Sequence, residues 1–328
     1  MRITNVVLLV AIIIVIVLLI GRFNFSEADF SIYNPAWNGI TQFPNNNSVN
    51  LLYSISDISG VGENNLVLII NPTRNFTADE SIQALSFMYR GGTIVLMDDF
   101  GTANTLLNDI GSPITIYQAP LCDDNDYYKR PSFPVITTIN QTGLMSNVTK
   151  IMLNHPTALN VTVNAIILAT SSSFSWIDAN ANTIIDQKEV YGKYPVMARA
   201  DYGAGQLYVA SDPDILVNVM INEGNNSVFA SNIMKSGNVY LDISHGQKIP
   251  PLATVFYMVR YDLVAQLLCS LLIILIGYAV YRRASIKKAI FGPEQPKDPI
   301  SKKQSMINFM KAKLPVKESD IKELNKKL

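Results

Sequence analysis

Cysteine, histidine and tryptophan are scarce: the 328-residue chain holds two of each. Two cysteines exclude a disulfide framework, and Cys269 lies inside an apolar run where it has no credible bridge to Cys122. Two histidines with no Cys/His spacing exclude a structural zinc site. Net charge is also missing, with 26 basic and 26 acidic residues, but the balance hides an asymmetry. Thirteen Lys/Arg face five Asp/Glu between Arg282 and Leu328, which leaves the preceding part acidic. An acidic middle repels nucleic acid. Gly203-Ala204-Gly205 lacks a third glycine and leads into a strand pattern, which excludes a dinucleotide loop.

What the chain does have is two long apolar runs, Val6–Ile20 and Leu263–Tyr281. Both approach the length of a bilayer span, and the residues after Gly21 offer no good signal-cleavage site. Arg282, Arg283, Lys287 and Lys288 follow the second run and place the C-terminus inside. The expected organisation is a membrane anchor at 1–21, an extracellular domain at 22–261, a second span at 262–281 and a basic cytoplasmic tail at 282–328. Sequons at Asn24, Asn46, Asn75, Asn140, Asn147, Asn160 and Asn225 all fall in the middle part, as expected of an exported, glycosylated surface. The tail pattern predicts two short amphipathic helices, around Met306–Met310 and Ile321–Leu328, with lysines opposite.

Within the middle part, Leu66–Ile70 is a continuous apolar run stopped by Asn71-Pro72, the pattern of a strand buried on both faces. Thr77 with Glu80 forms a capping box for a helix whose apolar face is predicted at Ile82, Leu85, Met88 and Tyr89. Thr93–Met97 reads as the next buried strand, and Asn104–Ile110 as a helix. Residues 118–165 read as irregular. Val196–Ala200 and Gln206–Ser211 form a hairpin across Asp201–Gly205, and Asp212-Pro213 opens a helix. The alternation predicts an α/β domain with a mainly parallel sheet.

Tyr33-Asn34-Pro35 with Trp37-Asn38-Gly39, the run Gly91–Gly101, Tyr194-Pro195-Val196, Asp201–Gly205 and Ser211-Asp212-Pro213 resemble the uncharacterised prokaryotic membrane family named domain of unknown function 4350. The resemblance covers residues 30–245. It implies a flavodoxin-like, class I glutamine-amidotransferase-like sandwich and a neighbourhood of MoxR-type ATPases, and it brings no known reaction.

The amidotransferase nucleophile would sit on the turn Met97–Gly101, which holds neither Cys nor Ser, and the activating His is missing near Ser211–Asp214. Cys122 precedes Asp123 and Asp124, whose charges disfavour a thiolate. His155 and His245 have no obvious partner in the sequence. Asp98, Asp99, Asp212 and Asp214 are ligand-binding candidates, because such folds bind at the carboxyl ends of parallel strands. The alternative for them is helix capping.

The most pointed segment is Asp178–Glu189. It sets oxygen side chains at loop positions 1, 3, 5, 9 and 12 (Asp178, Asn180, Asn182, Asp186 and Glu189), with the Ile184 carbonyl at position 7. That is a calcium-loop spacing, with Thr183 where glycine is usual. The combined expectation is a non-enzymatic, membrane-anchored scaffold of a cell-envelope complex, with a structural calcium loop and a cytoplasmic partner such as a MoxR-type ATPase. The alternative is a cell-surface hydrolase of envelope peptide or glycan using the Asp carboxylates.

Overall fold

The computed structural model describes residues 28–43, 49–246, 264, 267–278 and 282. The chain divides into two units: Ile20–Asp262, and Met1–Leu19 with Leu263–Leu328.

The first unit is built on one eight-stranded sheet. Its strands in chain order are β1 (Asn50–Leu52), β2 (Leu66–Ile70), β3 (Thr93–Met97), β4 (Ile114–Ile116), β5 (Leu121–Asp123), β6 (Val135–Ile136), β7 (Thr138–Ile139), β8 (Ile151–Met152), β9 (Leu159–Val161), β10 (Ala165–Thr170), β11 (Ser175–Ile177), β12 (Pro195–Tyr202), β13 (Gly205–Ala210) and β14 (Val239–Asp242). The main sheet runs β1-β14-β2-β3-β13-β12-β10-β7; the pairs β4–β9, β5–β11 and β6–β8 are separate two-stranded ribbons. Three helices accompany them: α1 (Ala78–Tyr89), α2 (Ala103–Asp109) and α3 (Asn226–Lys235).

Four of the seven pairings in this sheet have the predicted direction. The run from β1 to β13 is parallel throughout, but β13–β12, β12–β10 and β10–β7 are antiparallel. The sheet is therefore mixed, which corrects the mainly parallel, amidotransferase-like sandwich expected above. The cause is local. Gly203 at φ +60 turns β12 directly into β13, and a two-residue reversal cannot join parallel strands.

Alternate residues of the central strands feed two cores, one on each face. Leu66, Leu68, Val95, Met97 and Tyr208 pack with Phe229 and Ile233 of α3. Val67, Ile69, Ile94, Leu96, Leu207 and Val209 pack with Phe87 and Met88 of α1 and with Leu106 and Leu107 of α2. Helix α1 carries the predicted capping box: Thr77 Oγ1 accepts from Glu80 N–H, and Glu80 accepts from Thr77 N–H. Its buried face, however, is Glu80, Ser81, Ala84, Phe87 and Met88, while Ile82 and Tyr89 are exposed. Two contacts set this rotation. Ser81 Oγ donates to Asp109 at 2.9 Å, and the Phe87 ring occupies the space a side chain at Gly92 would need.

In the second unit the described helix covers 267–278. Among the described residues no helix is long and apolar enough to cross a membrane. This corrects the two-span topology. The membrane anchor, the extracellular placement and cell-surface localisation, the envelope scaffold and the cell-surface hydrolase all rested on those spans and are corrected with them. The run Val6–Ile20, the tail helices around Met306–Met310 and Ile321–Leu328, and the sequons Asn24 and Asn46 lie outside the described residues.

Candidate functional site

Strands β3 and β13 are parallel neighbours, so their carboxyl ends lie side by side, and Asp98 N–H donates to the Ala210 carbonyl at 3.1 Å. Asp98–Asp99 and Ser211–Asp214 are thereby brought to one edge of the sheet. Asp98 is fully buried, and its two carboxylate oxygens accept from Gly101 N–H and Ala103 N–H at 2.9 Å each, which caps α2 from outside. Burial pushes its carboxyl up to about 6, against the pull of those two donors. Asp212 accepts from Asp214 N–H and Asn154 N–H, each at 2.7 Å, and Asn154 Nδ2 donates to Asp214 at 2.5 Å. Burial raises both, with mutual repulsion in Asp212 and repulsion from Asp99 and Asp29 in Asp214, whose carboxyl reaches about 7. Asp98 and Asp212 thus act as backbone caps, and only Asp99 and Asp214 face other groups more freely.

A second cluster at this edge was not legible in the sequence. His245 is buried and stacked on Phe76, with ring centroids 3.8 Å apart. Its Nδ1 lies 2.7 Å from Asp242, and its Nε2 lies 3.3 Å from Arg74 and 3.6 Å from Glu80. Glu80 is the same carboxylate that closes the capping box, and its carboxyl is lowered: burial opposes ionisation, but Thr77, His245 and Arg74 outweigh it. The cluster ties the end of β14 to the start of α1. Its only signal in the sequence was the capping-box Glu beside an Arg six residues earlier.

Loop 178–189 follows β11, which pairs with β5. Asp178 is fully buried and accepts from Asn182 N–H (3.1 Å) and Thr183 N–H (2.7 Å). Asn180 Oδ1 accepts from Asn182 N–H and Asn182 Oδ1 from Ile184 N–H. Both amide nitrogens donate to the same oxygen of Asp186, at 2.6 and 3.2 Å. Glu189 closes the loop by accepting from Ala179 N–H (2.7 Å) and Asp186 N–H (2.9 Å). The backbone reverses at Ala181 (φ 56) and Thr183 (φ 61), loop positions 4 and 6. Position 6 is where a calcium loop needs its sharp turn. The five predicted side chains therefore share one loop, tied by their own polar groups. Among the described residues no three His, Cys, Asp or Glu side chains form a metal-ligand group. Asp178, Asp186 and Glu189 do not form such a group.

Cys122 lies beneath this loop, its Sγ 3.9 Å from Asp178. Burial, then Asp178, Asp124 and Glu189, push the thiol up to about 12. His155 meets Arg130 at 3.2 Å, and burial and that guanidinium lower it. Of the described sequon asparagines, Asn75, Asn140, Asn147 and Asn160 are exposed. Asn225 is half-buried, and its side-chain oxygen accepts from Thr149 N–H, Thr149 Oγ1 and Lys150 N–H.

No curated protein matches this chain. Among solved structures it is similar to the mmIFT52 N-terminal domain, at 17% identity and TM-score 0.46, covering 60% of this chain and 86% of that one. It is also similar to a β-galactosidase from Bacillus circulans sp. alkalophilus, at 15% identity and TM-score 0.33, covering 54% of this chain and 24% of that one. These likenesses are too distant to carry an argument about activity. The family described as Domain of unknown function (DUF4350) matches residues 33–234, a stretch holding both the sheet edge at Asp98 and Asp212 and the whole of loop 178–189, and the chain belongs to that family.

Proposed function

We propose that this domain works by binding rather than by amide-transfer chemistry, and that loop 178–189 takes a calcium ion that fixes the surface around β5 and β11. The observation that carries the reading is the left-handed backbone at Thr183. A β-branched residue enters that conformation at a cost of about 1–2 kcal/mol. Here its N–H donates to the buried Asp178 carboxylate, so the turn brings position 6 back onto position 1 of the loop.

The donor set fits the ion. Asp178, Asn180, Asn182, Asp186, Glu189 and the Ile184 carbonyl would hold it, all of them hard oxygen ligands. Carboxylate and amide oxygens that already accept one N–H keep further lone pairs for a cation. The ion would supply positive charge to a loop carrying three carboxylates and one Lys188. At the sheet edge Asp98 is committed to the Gly101 and Ala103 N–H groups. That supports a non-catalytic reading.

Titrating the protein with calcium while following Trp176, buried two residues before Asp178, tests the proposal. The expected dissociation constant is on the order of 10⁻⁴ M, the range of weak loop sites. Saturation at a hundredfold excess should raise stability by about 2.7 kcal/mol. Magnesium should compete poorly, because its small octahedron suits this long wrap badly. A melting temperature indifferent to 10 mM calcium, in the parent and in Asp186→Asn alike, would remove the calcium reading.

A further inference from the structure

Away from both regions just described, a cavity of about 300 Å³ opens at the amino ends of β3 and β13, where α3 ends against the sheet. Gln206 and Tyr208 line it from one face of β13, Asn232 and Lys235 from α3, and Ser146 from the turn before β8. We propose that this cavity binds a small polyhydroxylated carboxylate, a sugar acid in chemical class. The proposal does not depend on loop 178–189.

Three features of the lining point to that chemistry. The first is charge: no Asp or Glu lines the cavity, and Lys235 enters no ion pair among the described residues. The acidic edge at Asp99 and Asp214 lies at the opposite ends of the same strands. Five residues at about 3.3 Å each put some 16 Å between the two ends, beyond the ~10 Å screening length at 0.1 M salt. The anion is therefore attracted locally and barely repelled from afar.

The second feature is unused hydrogen-bonding capacity. Tyr208 Oη donates to Gln206 Oε1 at 3.0 Å, which leaves the phenol's lone pairs and the Gln206 amide N–H groups for a ligand. Asn232 Nδ2 donates to the Leu144 and Ser146 carbonyls at 2.9 and 2.8 Å, leaving its Oδ1 as a further acceptor. A ligand with several hydroxyls satisfies such a mixed set, whereas a bare anion would not.

The third feature is rigidity. The two Asn232 bonds fasten α3 to the wall containing Gly143, and Gly143 sits at φ +56 against the Tyr208 hydroxyl, where a Cβ would collide with it. A wall this closely fitted holds its polar groups in place before a ligand arrives, which lowers the cost of ordering them. A cavity of 300 Å³ is at the lower end of small-ligand sites, consistent with one sugar-sized molecule.

The test uses the full chain and calorimetric titration with D-gluconate, with D-glucose and acetate as neutral and non-hydroxylated controls. Gluconate should bind at least tenfold more tightly than either control. Lys235→Gln should weaken gluconate at least fivefold and leave glucose unchanged, and Lys235→Arg should restore the preference. Lys235 also sits in the last turn of α3, where a cation favours the helix end. Gln206→Glu therefore provides a second variant, which keeps the acceptor for Tyr208 and adds a repelling charge; it should abolish the gluconate preference. Gluconate binding no better than glucose, or unaltered by either Lys235→Gln or Gln206→Glu, would overturn the assignment.

Discussion

Replacing Thr183 with glycine separates a loop that is bent before it meets an ion from one that bends on binding. Thr183 holds φ 61 with Ala181 at φ 56 close by. If that geometry is the resting state, the strain of about 1–2 kcal/mol belongs to the ion-free protein and Thr183→Gly relieves it. Glycine returns about 0.5–1 kcal/mol of that through the greater freedom of the unfolded chain. The exposed bond from Thr183 Oγ1 to the Asn182 carbonyl (2.7 Å) is also lost, at small cost. The net gain is about 0.5–1 kcal/mol, or roughly 1–4 °C in a domain of this size. Because the strain is common to the free and loaded states, calcium affinity should change less than threefold. Melting curves with EDTA and calcium titrations on both proteins measure the two quantities. A calcium affinity improved tenfold with an unmoved ion-free melting temperature would refute the reasoning, since it would mean that the loop adopts the turn only on loading.

The acidic edge predicts a stability that declines towards neutral pH. Asp98 and Asp214 have folded values of about 6 and about 7 against an ordinary 3.8, so their contribution is complete below about pH 4 and lost as pH rises to 7. Asp214→Asn should therefore gain stability over the parent progressively between pH 4 and 7 in urea titrations; a constant difference would contradict this. Glu80 and His155 have lowered values and act with the opposite sign, so the variant-minus-parent difference is the readout, not the parent's curve alone. Cys122, pushed up to about 12, should resist an aromatic disulfide reagent at pH 8 in a Cys269→Ser background and react once the protein is unfolded. Rapid native-state labelling would place the thiol nearer solvent. Gly205→Ala should destabilise by about 3 kcal/mol or more, because its Cβ would strike the carbonyl oxygens of Gly92 and Met88, which are backbone and cannot swing away. Soluble Gly205→Ala protein with an unchanged denaturation midpoint would contradict that packing.

How far the sequence could be read depends on whether the deciding partners lie near one another along the chain. The Thr77–Glu80 capping box and the buried strands Leu66–Ile70 and Thr93–Met97 are set by residues within a dozen positions, and each is legible. The exposed Ile82 and Tyr89 were not, because the rotation of α1 is fixed by Asp109 and Gly92, which no helical periodicity contains. The sheet's mixed direction is partly legible, because the Gly203 hairpin requires one antiparallel pair beside the parallel core.

The His245 cluster shows why the remaining part stays hidden. Arg74 lies just before α1 and Glu80 in its first turn, whereas Asp242 ends β14 and His245 follows it, and nothing in either stretch announces the other. Parallel topology makes the meeting necessary: β14 and β2 are paired in the same direction, so the residues that leave them must share an edge. The same rule places Asp98 beside Ser211. An edge assembled in this way collects charged residues whatever their use, and here their hydrogen bonds decide the use. Asp98 and Asp212 are held by backbone N–H groups, and His245 by two carboxylates and an arginine. Chemistry at a sheet edge requires a group left free to act on a substrate, and on this edge Asp99 and Asp214 come nearest to that state. Even these two are engaged, Asp99 by Phe100 N–H and Asp214 by Asn154 Nδ2, and burial raises both carboxyls, so this edge gathers buried acids that the protein's own donors hold.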